Sequence, residues 1–169
     1  MLKKFNSEIV WLAIAFCVMA VLFFSSSQTY AEQSQQGNLR HWLVNQPFKE
    51  FLAQFKFTYA GEVEDAAKNY FTYVEFLMRK TAHFSTYFIL GLSWFMGLRR
   101  RIGNRLLAGF VAWQAATGYA GLDEFHQSLT GGRTPLIQDV ALDSTGALTA
   151  IIIATIILSI TKRLPQRHL

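Results

Sequence analysis

The side chains of this sequence that could do chemistry are a small set of charged and amide groups beside apolar stretches. Carboxylates and histidines supply general acid–base catalysis and divalent-metal binding, while lysine and arginine bind phosphate or carboxylate groups. Arginine offers a planar fork that suits bidentate contact with either anion. The candidate ligand-binding residues are Lys80, His83, Asp123, Glu124, Gln127, Arg133, Asp139 and Asp143.

The spacing of these residues places them on shared helix faces, since positions three or four apart on a helix are neighbours. Lys80 and His83 are three apart, and Asp139 and Asp143 are four apart. Between them lies the segment Asp-Glu-Phe-His-Gln at residues 123–127, whose first, fourth and fifth side chains share a face. A charge at the centre of a bilayer costs about 2.5 to 3.5 kcal/mol of free energy. We therefore expect each of these groups either to have a function or to be paired with another group.

Four apolar segments adjoin these polar residues and predict the elements that hold them. The 169-residue chain is 51% hydrophobic and 15% aromatic, more than a soluble fold of this size usually carries. A transmembrane helix needs about 17 to 25 mostly apolar residues. We predict four such helices, at about residues 9–27, 81–98, 106–122 and 140–160, in a single membrane domain covering residues 1–169.

Basic residues flank these spans in three clusters, which predicts the orientation of the chain. Lys3 and Lys4 precede the first span, residues 99–105 join the second to the third, and residues 162–167 follow the fourth. All three clusters face one side if the helices cross alternately. The positive-inside rule then places both termini in the cytoplasm, in a multi-pass protein of the cytoplasmic membrane. The formal net charge of +5 therefore indicates a lipid bilayer as the partner, and not a nucleic acid.

The outer segment, residues 25–80, is predicted to carry amphipathic helices. Residues 25–38 are polar and predict a loop. After Pro47, apolar residues at helical spacing predict a short interfacial helix. From Glu62, a longer apolar stripe predicts a helix that continues into the second span. The predicted fold class is therefore an all-α integral membrane protein with four transmembrane helices and amphipathic helices in the outer segment.

This topology brings three polar pieces that are distant in sequence to one membrane level, at the outer ends of the last three spans. Small residues beside them, among which are Gly118, Gly121 and Gly146, are expected to let the helices approach closely. The sequence thus predicts a polar pocket that opens to the outside.

A cleavable signal peptide is an alternative interpretation of the first span. Lys3 and Lys4, the apolar core and Thr29-Tyr30-Ala31 resemble the three regions of such a signal. The core is longer than the usual length of about 7 to 15 residues, which favours a retained helix. The lone Cys17 lies within this span, so no intramolecular disulfide is expected.

Three blocks of the sequence resemble the VanZ-like family of membrane proteins, which is named for a teicoplanin-resistance protein. Residues 79–84, Arg-Lys-Thr-Ala-His-Phe, are similar to the family's K-x-x-H-F motif. Residues 123–127 with Gly132-Arg133 are similar to its D-E-x-x-Q and G-R elements, and residues 139–146 to its D-V-x-x-(N or D)-x-x-G element. The resemblance implies a role in the cell envelope, with low-level resistance to glycopeptides, and supplies no biochemical reaction.

Three functions fit these residues. In the favoured one, the outer pocket binds or masks a lipid-linked cell-wall precursor, a peptide or a glycopeptide. In the second, an enzyme acts on an envelope phosphate or peptide, with Glu124, His83 and Asp123 as candidate catalytic residues and a divalent metal or other cofactor left open. Residues 123–127 lack the paired histidines of a zinc-protease helix. In the third, the charges only lock the helices of a partner-binding membrane protein, since buried charges are normally paired.

Overall fold

The computed structural model describes residues 2–130 and 135–163, and the side chains of residues 7–130 and 135–161. Most of the described chain is helical. The elements in chain order are α1 (Leu2–Ser26), α2 (Tyr30–Gln33), α3 (Gln36–Trp42), α4 (Lys49–Leu52), β1 (Phe57–Tyr59), β2 (Glu62–Glu64), α5 (Tyr70–Ile102), α6 (Arg105–Leu129) and α7 (Ile137–Arg163).

Two helices in the described part of the chain are long and apolar enough to cross a membrane. They cover Ser7–Ser26 in α1 and Ile137–Thr161 in α7, and correspond to the first and fourth predicted spans. The other two predicted spans, residues 81–98 and 106–122, lie within α5 and α6, which extend beyond them at both ends. The predicted helices are therefore present, and four membrane crossings stay a prediction.

The four long helices form a bundle in which α5 is central. It packs against α1, α6 and α7, and α6 also packs against α7. Tyr87, Leu90 and Phe95 of α5 are fully buried. The face of α6 that meets the bundle carries alanine at every fourth position, which brings the helix axes close together; these residues are Ala108, Ala112, Ala116 and Ala120.

Glycine makes the closest approach between α5 and α7 possible. A Cβ atom on Gly146 would lie 2.5 Å from the carbonyl oxygen of Phe84, and one on Gly91 would lie 2.6 Å from the Cα atom of Ala147. The predicted packing role of Gly146 is thus confirmed. The same prediction for Gly118 and Gly121 is wrong, because a Cβ atom at either position would meet nothing within 4 Å.

The outer segment differs from its prediction in two places. Residues 25–38, predicted as a loop, contain α2 and the start of α3. The prediction of a helix that begins at Glu62 is wrong for residues 62–69, because α5 begins only at Tyr70. Residues 62–64 instead form β2, which pairs with β1 in an antiparallel hairpin with Tyr59 opposite Glu62. Ala60 and Gly61 join the strands with φ values of 51° and 89°, which is the geometry of a two-residue hairpin turn. The described chain is therefore not wholly α-helical.

The beginning of α5 holds the outer segment in place. Asn69 caps this helix by accepting a hydrogen bond from the backbone of Thr72. The hydroxyl of Tyr70 donates to the Pro47 carbonyl at 2.9 Å, and the hydroxyl of Tyr73 donates to the Phe55 carbonyl at 2.8 Å. These bonds and the buried Leu39 side chain fix the hairpin and the short helices over one end of the bundle.

Candidate functional site

A cavity of about 530 Å³ opens at the end of the bundle where the hairpin meets α5, α6 and α7. Four of the predicted binding residues line this cavity, namely Lys80, Glu124, Gln127 and Asp139. The remaining wall comes largely from the outer segment and the first turns of α5, and carries eight further polar or aromatic side chains: Tyr30, Tyr59, Glu62, Glu64, Thr72, Glu75, Phe76 and Arg79. Arg133, also predicted, lies outside the described residues.

Lys80 and Asp139 form the ion pair that joins α5 to α7 at the cavity. The Lys80 ammonium lies 2.5 Å from Oδ1 of Asp139, and the hydroxyl of Tyr59 donates to the same oxygen at 2.5 Å. The ammonium also lies 4.7 Å from the centre of the Tyr59 ring and 5.3 Å from that of Phe76. Burial, together with the Asp139 carboxylate, raises the pKa of Tyr59, so its hydroxyl stays a donor.

Glu124 is a buried carboxyl group in the cavity wall, with 5% of its surface exposed. Its Oε2 atom accepts a hydrogen bond of 3.0 Å from the backbone N–H of Leu136, just before α7 begins. Burial raises the pKa of Glu124, and the Asp139 charge adds to this effect while the Leu136 N–H opposes it. A carboxyl group in this state is suited to exchange a proton or to meet a cation.

Two further predicted residues, His83 and Asp143, pair one helical turn further into the bundle. Nδ1 of His83 lies 3.3 Å from Oδ2 of Asp143, whose side chain is 1% exposed. Oδ1 of Asp143 has no hydrogen-bond partner among the described residues. Neither side chain lines the cavity. The structure therefore brings this pair together beside the cavity and not in its wall.

Asp123 is hydrogen-bonded within α6, and its neighbour His126 ties α6 to α1. Gln127 donates to Oδ2 of Asp123 at 3.0 Å, and Asp123 is buried. His126 lies 3.0 Å from the hydroxyl of Ser26 and stacks on Phe23, both in α1. This histidine has the contacts of a packing residue between two helices.

Sequence reasoning missed Glu75 and Arg79, which are i and i+4 neighbours on the cavity face of α5. Glu75 is 2% exposed; its Oε1 accepts a hydrogen bond of 2.6 Å from the Gln35 backbone, and its Oε2 has no partner among the described residues. The guanidinium of Arg79 lies over the Tyr30 ring, and its Nη1 is likewise unpartnered in the described structure. The four-residue spacing was the available signal, but it fits a solvated face equally well.

The carboxylates and histidines of the described chain are too dispersed for a shared metal site. No three His, Cys, Asp or Glu side chains in residues 7–130 and 135–161 lie close enough to hold one ion. The cavity, in contrast, has room for an organic ligand with more than one polar group. Its chemistry is that of a charged, partly aromatic binding pocket.

Two helices of the described bundle are long and apolar enough to cross a membrane, which suggests the class of small helical membrane proteins. The family follows from a direct comparison. The model of the VanZ/LLP1 family matches residues 11–158, and the chain belongs to that family. No curated protein and no solved structure matches the chain. The resemblance seen in the sequence is thereby confirmed.

Proposed function

We propose that this protein binds the charged part of a lipid-linked or peptide ligand of the cell envelope in its outer cavity. The observation that carries the proposal is a 530 Å³ cavity with buried ionisable side chains in its wall. Burying Glu75 while one of its oxygens has no partner among the described residues is costly. A ligand that supplies a hydrogen-bond donor to this oxygen would recover that cost.

The charge of the cavity wall favours a ligand that carries a cation. The described lining residues include five carboxyl groups and two basic groups, and one basic group, Lys80, is already paired with Asp139. Burial raises the pKa values of Glu64 and Glu124, and a neighbouring carboxylate adds to the effect in each case, Glu62 at Glu64 and Asp139 at Glu124. An ammonium group has three donors and would neutralise part of this excess. We therefore expect an amine on the ligand.

The proposal includes the orientation derived from the basic clusters, with the cavity outside and both termini in the cytoplasm. Lys80 and Arg99 are 19 residues apart in α5. At about 1.5 Å per residue this is about 28 Å, close to the hydrocarbon thickness of about 30 Å. The cavity and the arginine-rich last turn of α5 would therefore sit at opposite membrane surfaces, in agreement with four crossings.

An enzyme is the second candidate function, and the His83–Asp143 pair is the observation that favours it. A histidine held by a buried carboxylate is a suitable general base. This reading requires turnover of a bound envelope phosphate or peptide. It further requires that Glu124→Gln abolish turnover while the protein still folds and binds.

The binding proposal is tested by calorimetric titration of the purified protein in nanodiscs. The ligands are a teicoplanin-type glycopeptide, the same glycopeptide with its amines acetylated, and a lipid-linked wall precursor. We expect Glu75→Gln and Glu124→Gln to weaken binding by about ten- to a hundredfold, since a hydrogen bond to a charged group contributes about 1.5 to 3 kcal/mol. Acetylation should have a similar effect.

Glu50→Gln is the matched control, because Glu50 is exposed in α4 and does not line the cavity. It should bind like the wild type. Absence of binding to every ligand would contradict the proposal and favour a purely structural charge network. In that case any loss of cellular function in Glu124→Gln would be matched by an equal loss of protein abundance.

A further inference from the structure

The end of the bundle opposite the polar cavity carries a second cavity with a basic wall. It has a volume of about 470 Å³ and lies where α5 ends and α6 begins. Arg99 and Arg100 come from the last turn of α5, and Arg105 opens α6. Gly103, Leu158 and Thr161 complete the lining, and none of these described residues is acidic. Three guanidinium groups thus face one small space.

Within the described part of the chain, these arginines are only partly neutralised. The buried carboxylate of Glu8 in α1 lies 3.8 Å from Nε of Arg100 and 3.7 Å from Nε of Arg101. Nε of Arg99 is buried and has no hydrogen-bond partner among the described residues. A donor that is buried and unpartnered is destabilising unless something outside the described chain accepts its hydrogen bond.

The basic cavity continues into an apolar surface along α7. Nη1 of Arg105 donates a long hydrogen bond of 3.4 Å to Ser159. Ser159 also lines a neighbouring cavity of about 250 Å³, whose walls include Ile156 and Ile160. Both isoleucines are more than half exposed. The guanidinium groups therefore lie next to an aliphatic groove on the same side of the bundle.

We propose that the arginine cavity binds the phosphate group of an anionic phospholipid, with an acyl chain lying along α7. Arginine binds phosphate oxygens bidentately, and the unpartnered Nε of Arg99 supplies one such donor. Basic pockets between membrane helices are suited to anionic head groups. The adjoining isoleucines offer the hydrocarbon surface that a lipid has and a free phosphate ion does not need. This site is independent of the ligand proposed for the outer cavity.

Native mass spectrometry of the full-length protein in detergent tests the assignment. Phosphatidylglycerol, phosphatidylcholine and inorganic phosphate are added separately at equal concentrations. We expect one phosphatidylglycerol to stay bound to the wild type, with phosphatidylcholine retained at least about tenfold less. Arg99→Gln and Arg105→Gln should each lower phosphatidylglycerol retention by about tenfold, the loss expected for one charge-assisted contact.

Lys68→Gln is the control, because it removes the same charge from an exposed position in the outer segment, and it should retain the lipid like the wild type. Arg99→Lys separates charge from geometry: it should fold and yet bind more weakly than the wild type. Equal retention of both lipids, or wild-type retention by both glutamine variants, would overturn the proposal. Displacement of the lipid by millimolar inorganic phosphate would assign the cavity to free phosphate and overturn the lipid assignment.

Discussion

Replacing Gly146 by alanine should separate α5 from α7 and disturb the polar pairs beside the cavity. The new Cβ atom would lie 2.5 Å from the backbone oxygen of Phe84, and ordinary contact begins at 3.4 Å, so one helix must move by about 0.9 Å. The obstacle is backbone, which cannot rotate away. Overpacking of this kind costs about 1 to 3 kcal/mol, and we expect the upper half of that range.

The displacement should also lengthen the contact between His83 and Asp143, which lie beside Phe84 and Gly146. Phe84 follows His83 directly, and Gly146 is three residues after Asp143. Nδ1 of His83 and Oδ2 of Asp143 are already 3.3 Å apart, near the upper limit of a hydrogen bond. A helix shift of about 0.9 Å is enough to break this contact. Lys80 and Asp139 join the same two helices in the cavity wall, so Gly146→Ala is expected to weaken ligand binding at the outer cavity as well as stability.

The assay is unfolding of the purified protein in mixed micelles, followed by far-ultraviolet circular dichroism. Gly118→Ala is the matched control, because a Cβ atom there meets nothing within 4 Å and alanine favours a helix by about 1 kcal/mol over glycine. The control should unfold with a free energy equal to or above that of the wild type. A Gly146→Ala variant as stable as the Gly118→Ala variant would refute the reasoning about the α5–α7 contact.

Three further measurements test other parts of the molecule. Tyr59→Phe removes the hydroxyl that donates to Asp139, and should lower the free energy of unfolding by about 1.5 kcal/mol in the same micelle assay. Burial raises the pKa of Glu124 in the folded state, so the free energy of unfolding should rise as the pH falls toward 4.5, the ordinary glutamate pKa. Binding of an amine requires the Glu124 carboxylate, so affinity should begin to fall, as the pH is lowered, while the pH is still above 4.5. Calorimetry of Glu124→Gln should show a flatter pH profile. The last measurement uses a chain whose single cysteine is replaced by alanine. In this background, Glu62→Cys should react with an impermeant thiol reagent added outside the cell, and Arg101→Cys should react only after lysis. Labelling of both variants in intact cells would contradict the four crossings.

Much of the site was predictable from two rules. Helical spacing places residues three or four apart on one face, and helices that run in alternating directions bring polar residues of different helices to the same end of the bundle. Lys80 with Asp139, and His83 with Asp143, were expected at the outer ends of two different helices, and each pair is in contact. Sequence reasoning could not decide which of these residues reach the cavity. That depends on helix rotation, which places Lys80 in the wall and His83 one turn inside the bundle.

The outer segment was harder to predict, because two periodicities overlap in it. Apolar residues from Val63 onward fit a helical stripe, while Phe57-Thr58-Tyr59 and the Ala60-Gly61 turn fit a hairpin. In the turn, Gly61 adopts its positive φ without strain, while Ala60 takes a positive φ that a side chain makes less favourable.

Glu75 was missed for a related reason. Its position off the apolar stripe predicts a solvated side chain, yet the backbone at Gln35 covers it and donates a hydrogen bond to it. Periodicity identifies the apolar face of a helix, but it does not reveal what a distant segment of chain lays over the polar face.

The two sides of the cavity differ in rigidity, and this difference bears on how a ligand would enter. One side is the α5–α7 contact, where glycines bring the backbones together and the Lys80–Asp139 ion pair and the His83–Asp143 contact link the same two helices. The other side is the hairpin with the short helices of the outer segment, which pack mainly on the beginning of α5 and are joined to α7 through the hydroxyl of Tyr59. A close-packed helix contact resists deformation, whereas a small hairpin held by few bonds opens at low cost. Adjustment to a ligand should therefore occur in the outer segment, with Lys80, Glu124 and Asp139 as the fixed wall against which it closes.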